Sequence, residues 1–386
     1  MRSLNPADAI GTVREVYDGT LTSDIQVNTF RNIERLFPVN EVRRGARVHE
    51  LQLCDRPLTR VEFRSGGKSY DLIDYMALNR VTGLLVLKDG KIALEDYEMG
   101  NTERTRWVSM SVAKSITATL IGAAIQDGFI SGIDDPVTKY VPQLDRTAYD
   151  GVSIRNLLQM ASGSKWDETY TDSKSDRRRM LEAQISQRAG SILDVMAGLP
   201  RAYDPGSTWN YNSGDTYLAA AVVRHAVDRS LAQYLSERIW GKFGMESDAL
   251  WWLDSPQGTE IGGSGFGATL RDYGRFGLFL LNDGIAGEER ILPPGWVREA
   301  GSGKRVGGNL VNYGYLFWSF DAPPGSIHDG AFRAWGIYGQ HIYMNPKEKV
   351  VIVVWGALPK PSGTEPIADT DFFAAATAAL RREPGG

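Results

Sequence analysis

The sequence predicts an α+β fold: an antiparallel sheet built from strands at both ends of the chain, flanked by helices, with a mostly helical region inserted between them. Three observations predict it: an early hairpin, a helical middle and late strands. Near the start, Gly83-Leu84-Leu85-Val86-Leu87-Lys88 and Lys91-Ile92-Ala93-Leu94-Glu95-Asp96-Tyr97 flank Asp89-Gly90, a dipeptide that suits a tight two-residue hairpin turn. In the middle, residues 112–126, 153–161, 190–198, 214–228, 230–242 and 269–282 carry apolar side chains at helical spacing. After Pro293-Pro294, the runs Tyr313 to Trp318, Gly339 to Met344 and Val350 to Trp355 read as strands, and Asp369 to Arg382 as a closing helix. The expected division is an N-terminal extension over residues 1–60, which show no clear periodic element, and one domain over 61–386. Its sheet part takes about 61–110 and 290–386, and its helical part about 111–289.

Composition narrows the class of function. At 386 residues with 42% hydrophobic and 23% charged residues, the chain is ordinary for a globular protein. A net charge of −4 gives no basic excess for nucleic acid. The longest apolar run, inside residues 116–125, is too short to cross a bilayer, and the start Met1-Arg2-Ser3-Leu4-Asn5-Pro6 lacks the apolar region of a secretory signal, so a cytoplasmic protein is expected. The single Cys54 excludes an intrachain disulfide, and the four histidines have no metal-ligand spacing; neither metal nor cofactor is expected.

The chemistry points to Ser111-Val112-Ala113-Lys114. Serine is a weak nucleophile and needs a base within reach of its Oγ, and positions i and i+3 of a helix share a face. The same spacing occurs at Ser65-Gly66-Gly67-Lys68 and Ser162-Gly163-Ser164-Lys165, but glycine in those spacers predicts loops. Around Ser111, the run Val112, Ala113, Ile116, Ala118, Leu120, Ile121, Ala123, Ala124, Ile125 is apolar on nearly all sides, as in a central core helix, and Gly128 stops it. A lysine there either snorkels to solvent or is desolvated, and desolvation would lower its pKa and free the amine as a base.

A further candidate lies about a hundred residues on, in Asp204-Pro205-Gly206-Ser207-Thr208-Trp209-Asn210-Tyr211-Asn212-Ser213-Gly214, a turn-rich loop opening the helix at 214–228. Ser111 to Lys114 followed by Pro205-Gly206 and Tyr211-Asn212-Ser213 resembles the penicillin-recognising serine hydrolases, the superfamily of class C β-lactamases, DD-peptidases, family VIII carboxylesterases and 6-aminohexanoate-dimer hydrolases. Supporting segments are Asp134 to Pro142, Val152 to Gly163 and Ala268 to Gly277, so the resemblance spans roughly residues 80–360 in the family's order and leaves out residues 1–60.

The resemblance implies a β-lactamase/DD-peptidase-like fold, with Ser111 as acylated nucleophile, Lys114 as general base and Tyr211 as the relay that protonates the leaving group. It also places the oxyanion strand at Ala334-Trp335-Gly336-Ile337-Tyr338-Gly339-Gln340, with Gly336 and the amide of Ile337 beside the reacting carbonyl, and assigns Tyr170 and Asn212 to substrate binding. The lysine usual in that strand motif is replaced by Ala334, which weighs against lactam or wall-peptide substrates. The implied activity is hydrolysis of a small linear amide or ester. Competing expectations are a β-lactamase or DD-peptidase, and a non-catalytic binding protein that keeps the fold. The α/β-hydrolase motif fails at Phe266 in Gly262-Gly263-Ser264-Gly265-Phe266. The Arg177-Arg178-Arg179 run could guide an anionic substrate but reads first as a solvated loop or helix face, and the N-terminal extension could contribute to a homodimer.

Overall fold

In the computed structural model, which describes residues 8–361, 363 and 365–381, the main sheet has six antiparallel strands. Their order across the sheet is Trp318–Ser319, Phe332–Gly336, Gln340–Asn345, Val350–Gly356, Val81–Lys88, Lys91–Tyr97. The early hairpin therefore joins the late strands edge to edge, with Leu84 opposite Val354 and Leu87 opposite Val351. At the hairpin turn both Asp89 and Gly90 take positive φ, 51° and 78°, as a two-residue turn demands.

Both faces of this sheet are covered, which is why its central strands are apolar runs rather than alternating ones. On one face Leu84, Val86, Ile352 and Val354 pack with Tyr75, Phe372 and Phe373 from the helices Leu72–Leu78 and Asp369–Arg381. Tyr75 and Phe372 stack at 3.9 Å. Leu85, Leu87, Val351 and Val353 join the larger core on the other face, where the helix Leu270–Leu281 crosses the sheet. That helix is let in close by glycines one turn apart. A Cβ at Gly277 would stand 2.6 Å from Val351 Cγ1, and one at Gly274 would stand 2.6 Å from Leu85 Cδ2.

The helix Val112–Gln126 is buried from Val112 through Ala124, as its all-round apolar character predicts, and packs on the helix Ser213–Val227. The other expected helices also form: Ile154–Leu158, Ser191–Ala197, Leu231–Leu235 continuing through a wider turn at Ser236–Trp240, and Leu270–Leu281. The expected closing helix ends at Arg381, and its last predicted residue, Arg382, lies outside the described residues.

Elsewhere the structure departs from the expectation. Of the expected strand Tyr313 to Trp318, only Trp318 enters one, the edge strand Trp318–Ser319; Tyr313 to Phe317 is irregular. Its polar backbone groups are used by helices instead: the Leu316 N–H donates to Leu158 O at 2.9 Å, Leu316 O accepts from the Ser115 hydroxyl at 2.6 Å, and Leu316 takes φ 59°. Arg177 and Arg178 are not a solvated face. They lie on a helix, Asp176–Ile185, each only 4% exposed; Arg177 caps the ring of Tyr17 at 4.3 Å and Arg178 pairs with Asp18.

Both partners come from the N-terminal segment, which contains the helices Val13–Asp18 and Ser23–Arg31 and a strand, Val39–Val42. The strand pairs with Ala249–Trp252 in a second sheet completed by Phe266–Ala268 and Trp107–Val108. Val16, Val27, Phe30 and Val42 belong to the larger core. Among the described residues no helix is long and apolar enough to cross a membrane.

Close packing at Gly277 makes a stability prediction. Alanine normally favours a helix by about 1 kcal/mol over glycine, yet Gly277→Ala is expected to destabilise by about 1–3 kcal/mol because a β-branched strand residue must move. Gly274→Ala should cost less, since the tip of Leu85 can swing away; urea unfolding of both variants checks the order.

Candidate active site

The short strand Trp107–Val108 delivers the chain to Ser111. Its continuation is pinned by the Ser109 N–H on Phe266 O at 2.7 Å, and Met110 then turns through φ 45°, an uncommon conformation for a residue with a side chain. This turn sets Ser111 just before the helix, on the wall of a cavity of about 510 Å³. The next helical turn brings Lys114 beneath it. Lys114 is 1% exposed, and its Nζ lies 3.0 Å from each of three oxygens: Ser111 Oγ, Ser213 Oγ and Gly263 O.

Burial decides the state of this amine. Desolvation pushes Lys114 down to about 7, with the nearby Glu168 charge pulling up and Arg177 adding to the depression. Snorkelling is closed off, because the lysine is enclosed by the start of the Ser213–Val227 helix and by the loop at Gly263, where a Cβ would stand 3.2 Å from Nζ.

Tyr211 stands over this pair, with Lys114 Nζ 5.1 Å from its ring centroid. The ring is fixed by Trp318, which stacks on it at 5.9 Å, by Tyr313, edge-on at 6.1 Å, and by Trp209, tilted against it at 6.4 Å. Burial raises the phenol's pKa, the Glu168 charge raises it further, and interaction with the Ser111 hydroxyl works the other way.

Across the cavity runs the edge of the main sheet at Gly336 and Ile337. A Cβ at Gly336 would stand 2.6 Å from Ser109 O, so only glycine lets this strand approach the chain entering Ser111. Neither the Ser111 nor the Ile337 amide donates to a backbone carbonyl among the described residues, which leaves both N–H groups available.

Ser111, Tyr170, Tyr211, Gly336 and Ile337 line the cavity together, with Lys114 directly below. Asn212 does not line it. Its Oδ1 accepts from the Asp215 N–H at 3.1 Å, and its Nδ2 donates to Ser164 Oγ and Asp215 Oδ1, so it caps the helix instead of facing a ligand. The neighbouring Ser213 reaches the lysine in its place. Asp215, buried and held by Tyr149 and Asn212, is pushed up to about 7 by desolvation. Ala334 is fully buried, and Trp335 and Gly336 front the cavity there.

Glu168 has no signal in the sequence. It sits in a segment with no helix or strand, yet its carboxylate accepts from the Ser213 hydroxyl, from the Ser213 N–H at 2.9 Å and from Trp166 Nε1 at 2.5 Å. Its link to the lysine runs through Ser213, 45 positions away in the chain.

The profile of the beta-lactamase family matches residues 74–375. The chain belongs to that family. The 6-aminohexanoate-dimer hydrolase of Paenarthrobacter ureafaciens is 29% identical over 292 residues, 72% of each chain. Esterase EstB of Burkholderia gladioli is 27% identical over 306 residues, covering 65% of this chain and 78% of its own. The fold is shared with a Bacillus anthracis protein provisionally assigned as a 6-aminohexanoate-dimer hydrolase, with a TM-score of 0.82 at 22% identity, over 97% of this chain and all of that one. The family is one of beta-lactamase-fold serine hydrolases.

The buried lysine predicts a stability effect with a definite sign. An unfolded chain keeps the Lys114 proton up to its ordinary value of 10.5, the folded chain only up to about 7. Between those values the unfolded state binds the extra proton, so rising pH favours folding; below the window the full penalty applies. Relative to the parent, Lys114→Met should therefore be most favourable to stability near pH 6 and lose that advantage towards pH 10, as urea titrations at the two pH values would read.

Proposed function

We propose that this protein forms an acyl-enzyme on Ser111 and hydrolyses a small linear amide or carboxylic ester. The observation that carries this reading is the 3.0 Å contact between Ser111 Oγ and a lysine amine whose burial sets it near neutrality. A base poised near the working pH can both take a proton and give it back.

On this reading Lys114 accepts the Ser111 proton as Oγ bonds to the substrate carbonyl carbon, and the carbonyl oxygen becomes an oxyanion between the amides of Ser111 and Ile337. Collapse breaks the bond to the leaving amine or alkoxide, which takes a proton through Tyr211. A water then adds to the acyl carbonyl, its proton passing to the same basic group, and expulsion of Ser111 Oγ releases the acid.

Three features support a linear substrate. The cavity lies within the usual range for small-molecule sites, and Tyr170, Tyr211, Trp318 and Trp335 give it aromatic walls that suit an aliphatic chain. Position 334, where relatives acting on lactams carry a cation, is a buried alanine. The relatives at 29% and 27% identity are named as an amide-dimer hydrolase and an esterase.

A panel of p-nitrophenyl esters, 6-aminohexanoate dimer and a cephalosporin tests the assignment. Turnover of esters or the linear amide above the cephalosporin, a pre-steady-state burst matching enzyme concentration, and fluorophosphonate labelling of Ser111 are expected, all lost in Ser111→Ala. Undiminished turnover by that variant would sink the reading.

The pH profile makes an independent check. Since the amine must be neutral to act, kcat/KM should fall on the acid side with an apparent pKa near 7, and Lys114→Ala should lose about 100- to 10,000-fold.

A further inference from the structure

The three contacts of Lys114 raise a question of direction. A neutral amine carries two hydrogens and one lone pair, and it can take the Ser111 proton only if the lone pair, rather than a hydrogen, faces Ser111 Oγ. Gly263 O can only accept, so it takes one hydrogen. Ser213 Oγ decides the rest, because a hydroxyl can either accept the second hydrogen or donate into the lone pair.

We propose that Glu168 is a positioning residue for this reaction: by accepting the Ser213 hydroxyl proton, it forces Ser213 to accept from Lys114 and so turns the lysine lone pair onto Ser111. The inference rests on Lys114 being the base. The geometry leaves little alternative. Glu168 Oε1 accepts from Ser213 Oγ, while Oε2 is held by the Ser213 N–H at 2.9 Å and Trp166 Nε1 at 2.5 Å. A carboxylate donates to nothing, so the Ser213 hydrogen points away from the lysine. Both amine hydrogens are then engaged, by Ser213 and Gly263, and the remaining direction is Ser111 at 3.0 Å.

The same geometry specifies an informative variant. In Glu168→Gln, the two N–H donors that now converge on Oε2 would select the amide oxygen, leaving the amide NH2 facing Ser213 Oγ. Ser213 would then accept from the glutamine and donate to Lys114, occupying the lone pair that Ser111 needs. The charge is lost as well. Around the lysine stand Glu168, which raises its pKa, Arg177, which lowers it, and the Tyr211 phenol; removing the Glu168 charge moves the lysine down.

Steady-state kinetics of Glu168→Gln, Ser213→Ala and the double variant across pH, on an ester that the parent hydrolyses, test this. Glu168→Gln is expected to lose up to about 100-fold in kcat, as for a misaligned base, and to move the acid limb of kcat/KM to lower pH. Ser213→Ala should lose comparably, and Glu168→Gln should cost little more in its background, because Glu168 acts through that hydroxyl.

A parental kcat in Ser213→Ala, additive losses in the double variant, or an unmoved acid limb would each overturn the proposal. If Glu168→Gln does not fold, the kcat of Ser213→Ala decides. A parent that turns over neither ester nor amide removes the assignment of Lys114 as base, and this inference with it; a working parent with an unaltered Glu168→Gln removes the inference alone.

Discussion

The constraint on which the rest of the structure depends is the burial of one amine. Nζ of Lys114 must find partners without water, since an unpaired ammonium or amine in that position would cost several kcal/mol. Its three partners come from three separate segments: the turn before its own helix, the first residue of the Ser213–Val227 helix and the glycine loop at 263. Those segments can meet only if the two helices pack closely and the loop backbone presses against them. Gly262 shows how tightly, since a Cβ there would stand 2.7 Å from Thr216 O. The interior of the helical region is thus organised around a polar point.

The main sheet contributes a rigid edge to this arrangement. Gly336 admits the edge beside Ser109, and the following turn at Tyr338, with φ 72°, brings the chain back into the sheet at Gln340. Tyr338 is itself anchored, its phenol donating to Val16 O and its ring packing edge-on to Phe30 at 5.2 Å. On the opposite wall Tyr170 lies 6.2 Å from Tyr17, the ring that Arg177 caps. The N-terminal segment therefore backs two sides of the cavity. It does so from behind, holding Tyr170 and Tyr338 without supplying a side chain to the Ser111–Lys114 pair.

How much of this was legible depends on the range of the interaction. The Ser111–Lys114 pair is local, fixed by helix geometry, and the apolar run around it declares its burial. The sheet hairpin is local too. Tyr211 is distant and became visible through a resemblance in the order of motifs. Within that motif the sequence could not show which neighbour of Tyr211 turns inward, and the structure makes Asn212 a helix cap and Ser213 the lysine's partner.

Glu168 and the arginines at 177 and 178 were hidden for a different reason. Their environments are made by segments far away in the chain: Ser213 for the glutamate, Tyr17 and Asp18 for the arginines. The segment that supplies Tyr17 and Asp18 has helices too short for periodicity to register, although Thr12 and Glu15 form a capping box in the first of them. Tyr313 to Phe317 misled because its aromatic character reads as a strand, whereas here the rings are packing groups on an irregular chain that becomes a strand only at Trp318.

The environment of Tyr211 bears on the choice between amide and ester. A tetrahedral intermediate expels an amine only after the nitrogen gains a proton, whereas an activated ester expels a stable anion that needs none. A phenol ionised at neutral pH could not serve the first case. Here burial and the Glu168 charge hold Tyr211 in its protonated form, and the stacked Trp318 and edge-on Tyr313 keep it directed over Ser111 and Lys114. Such a phenol can give up a proton only where it can recover one, and on the proposed reading Lys114, whose Nζ lies 5.1 Å from its ring centroid, holds the proton taken from Ser111. On that reading the proton taken from the nucleophile returns to the leaving group through a circuit of Lys114 and Tyr211. On the proposed reading, that circuit matters little for a p-nitrophenyl ester and decides the rate for a linear amide.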